Sequence, residues 1–210
     1  MLFRSRQISI ISSSTAVPGL IQGPANACLY MPSAAIPSGT VATYTIRSVN
    51  NATSYNWTIP AGASATHPAG LGINDTIVEV NYTNAFTGGN ITVSASGICG
   101  TGGIRSLTIQ ANLKPGTIGN ITAIETQACL SREITYSITT PANTNWIEWT
   151  VPSNAVIVSG QGTNSIVVSY PIASSGVVTA TASNGCGSSK PRSLQVNVPA
   201  CPSGGFVKGS

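Results

Sequence analysis

Apolar and polar residues alternate along much of this 210-residue chain. Asn56 and Thr58 separate Tyr55, Trp57 and Ile59, and Glu79 and Asn81 separate Val78, Val80 and Tyr82. Ile91, Val93 and Ala95, then Leu107 and Ile109, keep the same spacing. Further on come Ile147, Trp149 and Val151; Ile166, Val168 and Tyr170; Val178, Ala180 and Ala182; and Leu194, Val196 and Val198. A strand sends successive side chains to opposite faces, so this period of two predicts antiparallel strands with one face buried. Gly, Asn and Pro punctuate the runs every ~8–12 residues, the spacing of short strands in a sandwich or barrel. Thr, Val, Ile and Tyr are plentiful and suit a pleated surface.

The pattern occurs twice. Tyr55-Asn56-Trp57-Thr58-Ile59-Pro60 returns as Ile147-Glu148-Trp149-Thr150-Val151-Pro152. Ile77–Tyr82 returns as Ser165–Tyr170, and Ile91–Gly100 as Val178–Gly187. Arg105–Ile109 matches Arg192–Val196, Tyr44-Thr45-Ile46 matches Tyr136-Ser137-Ile138, and Pro18-Gly19 matches Pro115-Gly116. Six blocks in one order mark two copies of a module, with loops that vary while strands hold. We expect a strand-like segment over residues 1–14, a first module over 15–112, a second over 113–200 and a linker over 201–210. The connection near Ala111-Asn112-Leu113-Lys114 is short, which predicts modules placed end to end. About seven strands around one Trp in each copy predict an all-β chain of two tandem immunoglobulin-like antiparallel sandwiches. Trp57, Trp149, Tyr82 and Tyr170 are the expected core anchors.

Composition narrows the function. Lys and Arg number 9, Asp and Glu 5, and His 1, so 7% of residues are charged. A typical soluble domain carries about 25%. Ser and Thr number 51, and together with Asn they fill the outward strand positions of both copies. So few carboxylates and one His leave little for acid–base catalysis or a hard-metal site. The net charge of +4 comes from scattered cations and is no nucleic-acid footprint. No apolar run approaches the ~20 residues of a membrane helix. No secretory leader is visible, because Arg4 and Arg6 precede only a short apolar run.

Of the five cysteines, Cys28 and Cys99 lie in the first copy and Cys129 and Cys186 in the second. One pair per copy predicts two disulfides, Cys28–Cys99 and Cys129–Cys186, and hence an oxidising, extracellular setting. Buried free thiols are the alternative. Zinc is not expected, since no Cys-x-x-Cys occurs and His67 stands alone. Cys201 is left over as an unpaired Cys, free or bonded to another segment or chain. Ser5–Ile10 parallels the last strand of the module and precedes Pro18-Gly19, as Arg105–Ile109 precedes Pro115-Gly116. The segment therefore reads as cut from a longer array, with Met1 added; a strand donated to a neighbouring module is the rival reading.

Several stretches resemble a known family. They are the Pro-Gly followed by a Cys, residues 52–62 (Ala-Thr-Ser-Tyr-Asn-Trp-Thr-Ile-Pro-Ala-Gly), residues 159–168 (Ser-Gly-Gln-Gly-Thr-Asn-Ser-Ile-Val-Val), residues 181–187 (Thr-Ala-Ser-Asn-Gly-Cys-Gly) and Arg192-Ser193-Leu194. Together they look like the PKD-like, immunoglobulin-like repeats of secreted Bacteroidetes surface proteins, which are often type IX secretion cargo. The resemblance covers both modules and implies a secreted or cell-surface location. The first copy departs from it where His67–Gly72 replaces the Ser-Gly-Gln-Gly loop, which leaves that turn's geometry open.

Candidate chemistry is sparse. His67 and Asp75 share a loop near several Ser, but the Gly-x-Ser-x-Gly elbow of a hydrolase is missing. No clustered oxygen ligands suggest calcium and no glycine-rich loop suggests a nucleotide, so no cofactor and no metal are expected. The six Asn-x-Ser/Thr sequons arise readily in a chain rich in Asn and Thr. By strand parity Trp146 points away from the face of Trp149, and its counterpart is Ser54. It is the candidate ligand or interface contact. The expectation is a non-catalytic structural repeat segment of a large exported surface protein or appendage, serving as spacer or stalk. Its partners would be adjacent repeats, copies of itself by edge or strand exchange, and cell-surface glycans. The alternatives are a glycan-binding adhesin module and an accessory domain of a secreted hydrolase.

Overall fold

A computed structural model describes residues 15–125, 132–171 and 173–200. The expected strand in 1–14, Cys129, and the 201–210 linker with Cys201 lie outside the described residues. The described elements are all strands, and they form two compact units. The first holds residues up to Ala27 and Val41–Ala111; the second holds Cys28–Thr40 and the chain from Asn112 onward.

The first unit contains β1 (Ala42–Thr45), β2 (Ala52–Thr58), β3 (Ala63–Thr66), β4 (Ile77–Tyr82), β5 (Gly89–Gly97), β6 (Gly100–Thr101) and β7 (Arg105–Ile109). One sheet has the order β1-β4-β3; in the other, β5 pairs with β2, β6 and β7. The pairings between these strands are antiparallel, as the alternation requires. Both sheets contribute to the buried set: Tyr44, Val78, Val80 and Tyr82 from one, Tyr55, Ile91, Val93, Ala95 and Ile109 from the other.

The second unit contains β8 (Thr122–Glu125), β9 (Glu133–Ser137), β10 (Trp146–Thr150), β11 (Val156–Ser159), β12 (Ser165–Ser169), β13 (Ser174–Asn184), β14 (Gly187–Ser188) and β15 (Arg192–Val198). One sheet runs β11-β12-β9-β8, and in the other β13 pairs with β10, β14 and β15. A single core joins Tyr136, Ile166, Val168 and Tyr170 to Ile147, Trp149, Val178, Ala180, Ala182 and Val196. Two sheets sharing one apolar layer make a sandwich. The all-β architecture expected from the alternation is the observed one.

The repeat extends to individual hydrogen bonds. The hydroxyls of Tyr44 and Tyr82 meet at 2.7 Å, and those of Tyr136 and Tyr170 at 2.9 Å. The Trp57 indole N–H donates to the Asp75 carbonyl at 2.9 Å, and that of Trp149 to the Thr163 carbonyl at 2.8 Å. Asn51 and Asn143 both take left-handed backbone, with φ of 62° and 59°, which Asn tolerates better than most residues. The anchors differ in depth: Trp149, Tyr82 and Tyr170 are buried, whereas Trp57 is only half-buried.

The compact units depart from the sequence repeats in one segment. Cys28–Thr40 lies within the first repeat but belongs to the second unit. Upstream of it, the Ala27 N–H donates to the Gln110 carbonyl of the first unit at 2.8 Å. The segment closes on itself, the Thr40 N–H donating to the Tyr30 carbonyl at 2.9 Å and the Ile36 N–H to Ser33 Oγ at 3.1 Å. Gly39 turns with φ of 67°, where a Cβ would lie 2.4 Å from the Tyr30 carbonyl oxygen.

Cys28 within that segment is disulfide-bonded to Cys186, with the Cα atoms 5.2 Å apart. This corrects both expected pairings. Cys28 does not pair with Cys99, which is free and exposed, and Cys186 does not pair with Cys129. The reason is the excursion itself: it carries Cys28 out of the unit that holds Cys99 and places it beside the β13–β14 turn. Four cysteines, two in each repeat, allow three connectivities, and equal counts per repeat do not choose among them.

Candidate functional site

The outward face of β10 and β13 in the second unit carries the polar and aromatic side chains of a candidate site. Trp146 and Glu148 alternate with the buried Ile147 and Trp149 on β10, so both face away from the core. Thr181 and Ser183 lie beside them on β13, with Asn184 and Ser188 at the turn. Ser33, Ala34 and Ala35 of the excursion complete a cleft of about 530 Å³. That volume falls within the usual range for small-ligand clefts.

The cleft's aromatic wall is braced from behind. The Trp146 indole N–H donates to Glu148 Oε2 at 2.9 Å. Gln161 Nε2 donates to Glu148 Oε1 at 3.0 Å and to the Trp149 carbonyl at 3.1 Å, while its Oε1 accepts the Trp149 N–H at 3.1 Å. Gly162 takes φ of 90°, and a Cβ there would stand 2.3 to 2.7 Å from three carbons of the Trp146 ring. Only glycine lets the ring pack this closely against the backbone. Each Glu148 oxygen keeps a second lone pair for a ligand hydroxyl. The result is a fixed indole beside a carboxylate and several hydroxyls, suited to a polar ligand with an apolar face.

Strand parity identifies Trp146 as outward-facing, and the structure lines the cleft with it. Glu148, Gln161 and Gly162 were not legible as site residues. Their signal was the Ser-Gly-Gln-Gly loop, whose Gln and second Gly brace the Trp. The first unit has Ser54 and Asn56 at the positions of Trp146 and Glu148, and His67–Gly72 in place of that loop.

In the first unit His67 Nδ1 and Asp75 Oδ1 lie 2.8 Å apart, with Asp75 fully buried. Asp75 Oδ2 has no hydrogen-bond partner among the described residues. No serine hydroxyl bonded to His67 is found among the described residues. Nor is a group of three or more His, Cys, Asp or Glu able to hold a metal ion found among the described residues.

Two further buried polar groups stand out. Burial lifts the Tyr136 and Tyr170 hydroxyls above the ordinary phenol range. Contact with Tyr170 lifts Tyr136 further, while the bond from Tyr136 works in the opposite direction on Tyr170.

The third local feature is the β13–β14 turn, Asn184-Gly185-Cys186-Gly187. The buried Asn184 amide donates to the carbonyls of Leu113 and Asn143 at 2.8 and 2.7 Å. Its Oδ1 accepts the Cys186 N–H at 2.8 Å. The Gly185 N–H donates to the Cys28 carbonyl at 2.9 Å, beside the disulfide. Met31 packs over Gly185 so closely that a Cβ there would lie 2.4 Å from the Met31 Cβ.

The ectodomain of mouse nectin-like molecule 4, a three-immunoglobulin structure, is 13% identical, with a TM-score of 0.32 over 91% of this chain and 66% of that one. A chicken tenascin segment of two fibronectin type III domains is 14% identical, with a TM-score of 0.34 over 86% of this chain and 99% of that one. The chain spans just under two thirds of the nectin-like ectodomain. No curated protein matches it. The sequence model of the PKD-like domain matches residues 14–109 and again 114–196, covering both repeats, and the chain therefore belongs to the PKD-like domain family.

Proposed function

We propose that the chain is a structural spacer segment of a large exported surface protein, of the type IX secretion kind in Bacteroidetes. Tandem PKD-like domains are typical of spacer modules. The observation that carries the reading is the Cys28–Cys186 disulfide, which closes 158 residues of sequence. When the ends are pulled, tension passes through the disulfide and bypasses everything between the two cysteines. The modules in that loop are thus relieved of load, and the segment holds its length. The disulfide and the low charge also fit an extracellular place.

Single-molecule pulling tests this reading. At about 3.4 Å per residue, the closed loop hides roughly 540 Å of extension. Oxidised chains should lack that length, and reduced chains or Cys28→Ser should release it. Equal extension in both forms would refute the spacer mechanism.

The Trp146 cleft favours a second reading, a glycan-binding adhesin module. A glycan array with Trp146→Ala as control tests it, and no binding by the wild type removes it.

A further inference from the structure

The second unit spends more on the Trp146 cleft than its fold requires. Trp146, Glu148, Gln161 and Gly162 occur together there. The first unit has Ser54, Asn56 and a different loop at those positions, and it builds the same antiparallel pairing without them. The Trp146 N–H and Gln161 Nε2 donate to different oxygens of Glu148, and Gly162 leaves room for the ring. Trp146 and Glu148 lie on the outward face of β10, so these bonds fix side chains that the core does not use.

The strand register sets out what a ligand would meet. Trp146 stands opposite Ser183, and Ser183 opposite Ser188; in the next outward row Glu148 stands opposite Thr181. Residues directly opposite in a ladder share a face, so an indole, a carboxylate and three hydroxyls adjoin on one face. Asn184 also lines the cleft, but its amide is committed to the Leu113 and Asn143 carbonyls. The indole N–H is committed to Glu148, so what the ring offers the cleft is apolar carbon. A pyranose is complementary to this arrangement, with C–H bonds on its faces and hydroxyls at its rim.

The position of Glu148 decides between ligand classes. An indole N–H lies in the plane of its ring, so the carboxylate that accepts it lies at the ring's edge. A sugar stacked flat on Trp146 brings two neighbouring rim hydroxyls to the open lone pairs of the two Glu148 oxygens. An ammonium centred over the ring would stand away from that carboxylate. Among the described residues that line the cleft, Glu148 alone is charged. It repels a uronate or a sulfate locally, although the chain as a whole carries +4.

Resting on the glycan-binding reading, we propose that the cleft takes a neutral pyranose, stacked on Trp146 with two adjacent hydroxyls donated to Glu148, and turns away acidic sugars. Glu148 sets that choice.

Calorimetric titration of the full chain tests the assignment. The probes are cellotetraose, maltotetraose and mannotetraose as neutral sugars, tetragalacturonate as the acidic one and a glucosamine tetramer as the cationic one. A neutral probe should bind most tightly, and equally at low and high salt, because no ion pair forms. Trp146→Ala should weaken that binding about tenfold. Glu148→Gln keeps the side chain's shape and removes its charge, so it should weaken the neutral sugar about fivefold and narrow its lead over tetragalacturonate. Where Trp146→Ala disturbs the fold, Glu148→Gln at its exposed position carries the test. Tightest binding of tetragalacturonate, fading with salt as the chain's overall charge would produce, overturns the assignment. Tightest binding of the glucosamine tetramer does so too, as does neutral-sugar binding that both variants leave unchanged, or no binding of any neutral probe. A glycan array with Trp146-dependent binding to acidic or amino sugars alone keeps the adhesin reading and removes this assignment; an array with no binding removes both.

Discussion

The two PKD-like units share their interiors and differ at their rims. Each has a tyrosine pair bonded across its core, an indole donating to a loop carbonyl and a left-handed Asn before the second strand of the aligned set. At the rim, Cys186 is tied to an excursion of chain that also walls a cleft, while Cys99 stands uncovered. Core positions are constrained by dense packing, where even a methylene is felt. Turn and loop positions face solvent and can diverge, so any difference in function between the units resides there.

Removing the disulfide makes the two turns alike and should have the largest effect. A closed loop of 158 residues contributes about 5 kcal/mol to complete unfolding in the chain-entropy model. Cys28→Ser or reduction should therefore lower the urea midpoint strongly, whereas Cys99→Ser should leave monomer stability unchanged.

The next contrast is between the tryptophans. Trp149→Ala should cost about 3–5 kcal/mol, as for other buried aromatics. Trp57→Ala should cost less, because Trp57 is only half-buried. Hydrogen exchange resolves the two units, and equal losses would show that burial does not rank them.

The turn corner comes third. Asn184→Ala strands the Leu113 and Asn143 carbonyls and should cost about 1–3 kcal/mol. Gly97→Ala should destabilise the first unit through the opposite fault, a Cβ driven into the Asn51 carbonyl. Denaturant midpoints of the two variants check both.

The smallest effect is alkaline. Tyr136 and Tyr170 titrate higher in the folded chain than in the unfolded one, where phenols ionise near pH ~10. Their stabilisation is complete below that pH. It falls as pH rises above it, because the unfolded chain releases protons that the folded chain retains. Tyr136→Phe should flatten the decline in urea midpoint above pH ~10. An unchanged slope would mean that the pair does not couple to folding.

Much of the interior was legible. Period-two alternation placed Val78, Val80 and Tyr82, and Ile166, Val168 and Tyr170, on buried faces because the pleat leaves no other choice. Parity also placed Trp146 outward. Trp57 was read as equal to Trp149, since alternation gives the face but not the depth. Glu148 counted only among the few scattered carboxylates, because its role depends on Gln161 and Gly162, which arrive from a separate loop.

By itself the sequence determined the strands, the duplication, the all-β class and the scarcity of charge, all local or periodic properties. The partner of Cys28 was decided only by the tertiary structure. Disulfide pairing depends on which Cα atoms approach within about 7 Å. Residues 28–40 leave one unit for the other, and nothing in the spacing of the cysteines records that path.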